Sequence, residues 1–433
     1  MVKKVSFKMI DKVKIKLKNK DTKTLVSNFS YLTIIEISNY ILPFITIPYI
    51  VRTIGVEKYG TIMFAYSVMI FFNVITSFGF KLLATKYISI NRDDVKKVSK
   101  YFWSVILTQM MLLVFSFSIL LILLFSIERF HSEMSVFLYS FGMVLGNVIF
   151  PVWFFQGMEK MKYISIFTVV SRLIYTILIF TLVASIENYE LIPLINSLSL
   201  IAIGLFSLYF IHAKFEVEFV LVSVSDMIKL LKEGWHLFLS TLSNNLYTAT
   251  NTVLLGFLTN YSVVGVFSIA STISGAITKI IKIYSRVTFP YIAKFDKDKE
   301  LQIQKARLLL RIYSVLLFTA GLVTFLSADF LITLLFGANH EESILVLQIL
   351  SITIMIEPLG GFFTPYLVIK NQTKTVAKIT FQTMLMNFVV VVPLIYIFQA
   401  KGMAIAKVIV ESFQVFLNIL YNKELILPRG KKN

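Results

Sequence analysis

Ionisable side chains stand inside or at the edges of stretches of this chain too apolar to solvate them, among them Glu36, Arg52, Arg172, His236, Glu357, Lys407 and Glu411. Facing hydrocarbon at mid-depth, such a group costs at least about 2.5–3.5 kcal/mol, so each implies a partner or a wet cavity. Glu36 and Glu357 can each cap a buried polar contact or act as ion-coupling groups, since a carboxylate in a partly dry cavity can exchange a proton near neutral pH. Lys407 and Glu411 stand four residues apart on one helix face, where they can neutralise one another. Arg52 closes an apolar run and can either snorkel to headgroups or face a cavity. Arg172 sits halfway along its run with no acid nearby on its own helix, which points to a cavity. His236 opens a run and reads as interfacial. Amides at Asn39, Asn244 and Asn245 add neutral hydrogen-bonding capacity inside the same kind of segment.

Enzymatic signatures do not accompany these charges. The sequence holds no G-x-x-x-x-G-K-[ST] phosphate loop and no H-E-x-x-H. It also lacks a nucleophile elbow, and no plausible metal cluster forms among its four histidines. The absence of cysteine removes thiolate chemistry and disulfides. No cofactor, no metal and no catalytic residue is expected.

The elements that must carry these groups are membrane spans. Of 433 residues, 57% are hydrophobic and only 15% charged, against about 25% charged in ordinary soluble domains; the mean hydropathy is +0.79. A bilayer-crossing helix needs about 20 apolar residues. Such runs occur over 29–51, 59–80, 103–126, 135–155, 163–184, 191–211, 234–258, 262–284, 308–328, 344–368, 376–398 and 402–421. Twelve helices follow, in an all-α integral membrane fold. The seventh is half polar, with His236, Ser240, Ser243, Asn244, Asn245, Thr248 and Asn251, so it must face protein or water.

Charge placement tests that topology. With both ends inside, the inner segments collect about 36 of the basic residues and the outer ones hold Arg52, Lys58, Arg129 and Lys401. Adding or losing one span would scramble this positive-inside asymmetry. The formal charge of +18 is therefore a topology signal rather than a nucleic-acid face. Both termini are expected in the cytoplasm, residues 1–24 forming a basic segment on that side. Outer loops are short and hold no ectodomain, which weighs against a glycan polymerase or ligase.

An internal repeat divides the remainder. Tyr59-Gly60 and the five residues after it match Val264-Gly265 and the residues after those at an offset of 205, which also pairs Asn39 with Asn244 and Lys81 with Arg286. The loop around Arg92, Asp93 and Asp94 falls opposite Asp296, Lys297 and Asp298. Two parallel six-helix halves, 25–215 and 216–433, around a central cavity are the economical reading.

Several segments carry a resemblance. The first span reads N-x-x-Y-L from Asn28 and then P-Y-I-V-R-T-I-G from Pro48, followed by Tyr59-Gly60. Phe78-Gly79-Phe80 precedes Ala84-Thr85. The fourth span closes on P-V-W-F-F-Q-G-M-E-K-M-K-Y, Pro151 to Tyr163, with Arg172 downstream. The chain thereby resembles Wzx-type polysaccharide-unit flippases, of the superfamily that includes multidrug/toxic-compound extruders and the lipid II flippase MurJ. Asn371-Gln372-Thr373-Lys374 stands where the second half would repeat the Q-G-x-E-K segment, so the later half matches less closely.

The resemblance implies a carrier of undecaprenyl-pyrophosphate-linked oligosaccharide units between the leaflets of a bacterial cytoplasmic membrane. Alternating access driven by an ion gradient would move them. Arg52 and Arg172 would then receive the pyrophosphate, and Asn39, Asn244 and Asn245 the sugar hydroxyls. Membrane lipid is the other partner, with the polysaccharide polymerase and chain-length machinery as further ones; no nucleic acid is expected. An extruder of cationic drugs on the same fold would want carboxylates unopposed by Arg172.

Overall fold

The computed structural model describes residues 20–248, 250–295 and 298–426, and among them it contains no strand. This is what hydrocarbon demands of a chain without a closed barrel: every backbone N–H and C=O must be satisfied within its own segment. The order is α1 (Lys20–Ser77), α2 (Phe80–Asn91), α3 (Val95–Ser126), α4 (Glu128–His131), α5 (Met134–Ile149) and α6 (Val152–Gly157). There follow α7 (Met161–Leu182), α8 (Leu191–Phe215), α9 (Val224–Thr248), α10 (Thr250–Leu258), α11 (Tyr261–Ala293) and α12 (Lys299–Leu326). The last are α13 (Ala328–Phe336), α14 (Glu341–Ile369), α15 (Thr373–Tyr421) and α16 (Lys423–Ile426).

Nine of the described helical stretches are long and apolar enough to cross a membrane. Two of these hold two expected spans each. Gly55 breaks α1 at φ 79° and ψ 167°, and Gln399 breaks α15 at φ 51° and ψ −123°. At the second break the chain folds back: Gly402 lies against the backbone of Leu394, a residue that a continuous helix would hold about 12 Å away. Eleven apolar spans result, and the polar seventh segment, α9 with α10, makes twelve. Its polarity is absorbed in part by Asn251, whose amide exchanges hydrogen bonds with that of Asn387 at 3.4 and 2.9 Å; Asn387 is buried.

Two helices begin on the same kind of cap. Asp94 caps α3 by accepting the Lys97 N–H, and Asp298 caps α12 by accepting the Leu301 N–H. Each satisfies an orphan donor at a helix start.

Contacts divide the chain into two units, Met1–Thr53 with Ala65–Leu246 and Ile54–Phe64 with Tyr247–Asn433. In the first, α5 and α8 approach closely because Gly142 and Gly146 form a G-x-x-x-G face; a Cβ on Gly146 would sit 2.6 Å from the Leu200 Cβ. The W-F-x-Q-G segment is α6 itself. Phe154 and Phe155 are fully buried and Trp153 nearly so, in a cluster with Phe80, Phe102 and Phe167. Gly157 lets α6 close onto Ile88 of α2, and the Thr85 hydroxyl donates to the Trp153 carbonyl at 3.3 Å. Glu159, at φ 56°, turns the chain and pairs with Arg92 at 3.0 Å. In the second unit Tyr284 and Tyr313 stack at 4.7 Å within a core that also holds Leu310, Ile354 and Phe362.

Candidate functional site

Arg172 lies eleven residues from the start of α7 and ten from its end, so about 15 Å of helix separates it from either terminus. It is half-buried and has no ion pair or hydrogen bond among the described residues. Its direction follows from its neighbours. Thr176, one turn on, meets Thr46 of α1 at 3.4 Å, and the Val183 carbonyl accepts from the Tyr49 hydroxyl at 2.7 Å. Tyr49 also packs on Phe180, ring centroids 4.4 Å apart. Residues 172, 176 and 183 share one helical face, so Arg172 is on the side of α7 that meets α1, in parallel register and level with about Leu42. A guanidinium in such a place offers five fixed donors matched to carboxylate or phosphate oxygens.

Arg52 is on α1 as well but is exposed. It lies ten residues beyond Leu42, about 15 Å farther along the axis. The two arginines are therefore not gathered around one small group; they mark two levels on one pair of helices. Glu36 and Asn39 fall within α1, but their side chains, like that of Asn244, lie outside the described residues. Asn245 donates to the Thr241 carbonyl of its own helix at 2.8 Å, and His236 is exposed on α9.

The second unit contains a charge cluster of its own. Glu357, on α14, receives Lys282 of α11 at 2.6 Å on one carboxylate oxygen and Lys407 of α15 at 3.2 Å on the other. Three helices thus converge on one carboxylate whose side chain is 18% exposed. Glu411, one turn beyond Lys407 and buried, brings the group to two positive and two negative charges. Lys407 is thus engaged across helices by Glu357, in addition to any attraction along its own helix toward Glu411.

Lys282 is the member that sequence reasoning missed. It stands near the end of the 262–284 apolar run, beside a loop rich in basic residues. A lysine two residues inside the end of a span was the available signal. In the structure α11 continues to Ala293, which places Lys282 well within the helix.

A family described as "Polysaccharide biosynthesis protein" matches residues 25–296. The chain belongs to this family. Among its relatives is a protein of Escherichia coli (strain K12), 28% identical over 416 residues that make up 94% of this chain and all of the relative. A protein of Shigella dysenteriae is 24% identical over 89% of this chain and 96% of its own. Both bear the name "Putative O-antigen transporter". Two solved structures share the fold. The lipid II flippase MurJ in an inward closed conformation aligns at a TM-score of 0.70, 13% identity, covering 91% of this chain and 87% of that one. An inward-facing multidrug resistance MATE family transporter of the MOP superfamily aligns at 0.68, 17% identity, covering 89% and 94%. The resemblance drawn from the W-F-x-Q-G-x-E segment thus holds for family and fold, and the chain is a multi-pass membrane protein of the Wzx-type group, a transporter rather than an enzyme.

Proposed function

We propose that the chain carries undecaprenyl-pyrophosphate-linked oligosaccharide units from the inner to the outer leaflet of the cytoplasmic membrane. Both termini are cytoplasmic in this reading, and the two six-helix halves, 25–215 and 216–433, rock in alternating access with an ion gradient as the driving force. The observation that carries it is Arg172: a guanidinium at mid-span, on a helix-facing side, with no partner among the described residues. A pyrophosphate crossing hydrocarbon alone meets a prohibitive desolvation barrier. A cation held at mid-depth replaces part of the lost hydration, and the polyprenyl tail can remain in lipid. Arg52, about 15 Å farther along, would be a second station for the same group near the outer surface. Asn39, Asn244 and Asn245 would serve the sugar hydroxyls. The names of the two relatives and of MurJ support lipid-linked cargo of this kind.

Coupling is assigned to Glu36 and Glu357. For Glu357 the step has a physical form: taking up a proton there requires that Lys282 and Lys407 be released, which would loosen α11 and α15 from α14. The reading is tested by deleting the gene and analysing lipid extracts. Accumulation of a complete lipid-linked oligosaccharide on the cytoplasmic leaflet, reversed by the wild-type gene, is expected. Normal export of the glycan in the deletion strain would refute it.

A further inference from the structure

A polar concavity in the first unit is lined by none of the charged residues assigned above. It occupies about 550 Å³ where the first turns of α3 meet α9, within the first unit, and its walls include Tyr87, Lys96, Lys100, Tyr101 and Lys229. The rings of Tyr87 and Tyr101 stack almost parallel, centroids 3.8 Å apart, and form an aromatic wall. Lys100 is tied to Asp226 at 3.4 Å, which joins the two helices at the rim. Lys97 is tied to Asp94 at 3.1 Å. Lys96 and Lys229 also line the space, are exposed and enter no ion pair among the described residues. Counting all its charged walls, four lysines face Asp226 and Glu233, so the concavity carries a formal surplus of two positive charges.

Orientation of the chain in the membrane needs lysines in this loop, but only their charge. It does not need a cavity the size of a small-molecule site, an aromatic wall, or a rim fixed by an ion pair. The position matters too. Tyr101 and Trp103 begin the apolar part of α3, as belt aromatics do at the level of lipid headgroups. Basic pockets between helices at that level on the cytoplasmic side receive anionic headgroups.

We infer that the concavity between α3 and α9 is a binding site for the net-negative phosphate headgroup of a membrane lipid, with Lys96 and Lys229 as the two cations that hold it. The inference rests on the cytoplasmic placement proposed above, and its ligand chemistry has two sources: an anionic phospholipid, or the diphosphate of the cargo lipid before it enters the spans.

The test uses the full-length protein in nanodiscs of phosphatidylcholine, titrated separately with phosphatidylglycerol and with undecaprenyl diphosphate, with bound lipid counted by native mass spectrometry. Wild-type protein is expected to retain one anionic lipid above the phosphatidylcholine background. The K96Q/K229Q variant should bind it about 30-fold more weakly, on the basis of two lost surface lysines. Retention of both lipids would mark a general headgroup site, and retention of undecaprenyl diphosphate alone a docking site for cargo. Absence of a retained anionic lipid, or equal retention by the variant, would overturn the assignment. Both lysines are exposed, so the variant should fold; its elution and thermal stability check this. Because the readout is binding by purified protein, failure here leaves the transport reading to be judged separately by glycan export.

Discussion

Removing the carboxylate from the Lys282–Glu357–Lys407 cluster should cost more than removing either lysine. Glu357→Gln keeps the volume and deletes one negative charge, which leaves two ammonium groups around a neutral amide with Glu411 as the one remaining carboxylate of the group. Breaking a buried ion pair from one side typically costs about 3–5 kcal/mol. The value here should fall near the lower end, about 3 kcal/mol, because the Lys282 side chain is 37% exposed and can turn toward water. Lys407, 29% exposed, has less freedom, so a second change at Lys407 should recover most of the loss. Glu357→Gln with Lys407→Gln is expected about 1 kcal/mol below wild type, about 2 kcal/mol better than Glu357→Gln alone, so the coupling is at least about 2 kcal/mol. Denaturant titration of the protein in bicelles, run on wild type, both single variants and the double, measures each value. Additive losses in the double variant would show that the two groups do not depend on each other. A loss under 0.5 kcal/mol for Glu357→Gln, in the range of surface pairs, would refute the reasoning.

Other perturbations test separate parts of the account. Glu36→Gln and Glu357→Gln should each lower glycan export if ions pass through them, read as surface polysaccharide per copy of protein; full export in both removes the coupling assignment. Gly146→Val should overpack the α5–α8 contact by about 1–3 kcal/mol, since even a Cβ there would meet Leu200 at 2.6 Å; unchanged stability in the bicelle titration would contradict the close approach. Asp94 should anchor the start of α3. The backbone N–H and the ammonium of Lys97 hold its carboxyl below its ordinary value of 3.8. A lowered folded-state value means that the contribution is complete above the unfolded value and fades as pH falls through the folded one. Amide exchange at Val95–Lys97 should therefore be accelerated, relative to the intrinsic rate, by Asp94→Ala at neutral pH and in the wild type only below about pH 4. Equal protection in the variant at neutral pH would count against the cap.

Much of this fold was legible because membrane architecture writes itself in one-dimensional quantities. Length of apolar run and side of basic residues sufficed to find twelve segments, including the two pairs that fuse at Gly55 and Gln399. The W-F-x-Q-G segment was legible as a motif but not as a structure. That Gly157 allows α6 to close onto Ile88, and that Trp153 offers its carbonyl to Thr85, depends on a contact between distant helices. The charge cluster was only half legible for the same reason. Lys407 and Glu411 are four apart and announced a pairing along one helix. The contacts to Glu357 come from residues 75 and 50 positions away, and Lys282 was hidden by its nearness to a basic loop. Arg172 was the opposite case: depth in a span and lack of a local acid are both properties of the sequence around it.

Arg172→Ala, assayed for surface polysaccharide in cells whose membranes hold the variant at wild-type levels, is the most direct test of the whole. The account predicts that surface polysaccharide is abolished while complete lipid-linked units build up inside. Wild-type output from that variant would contradict it.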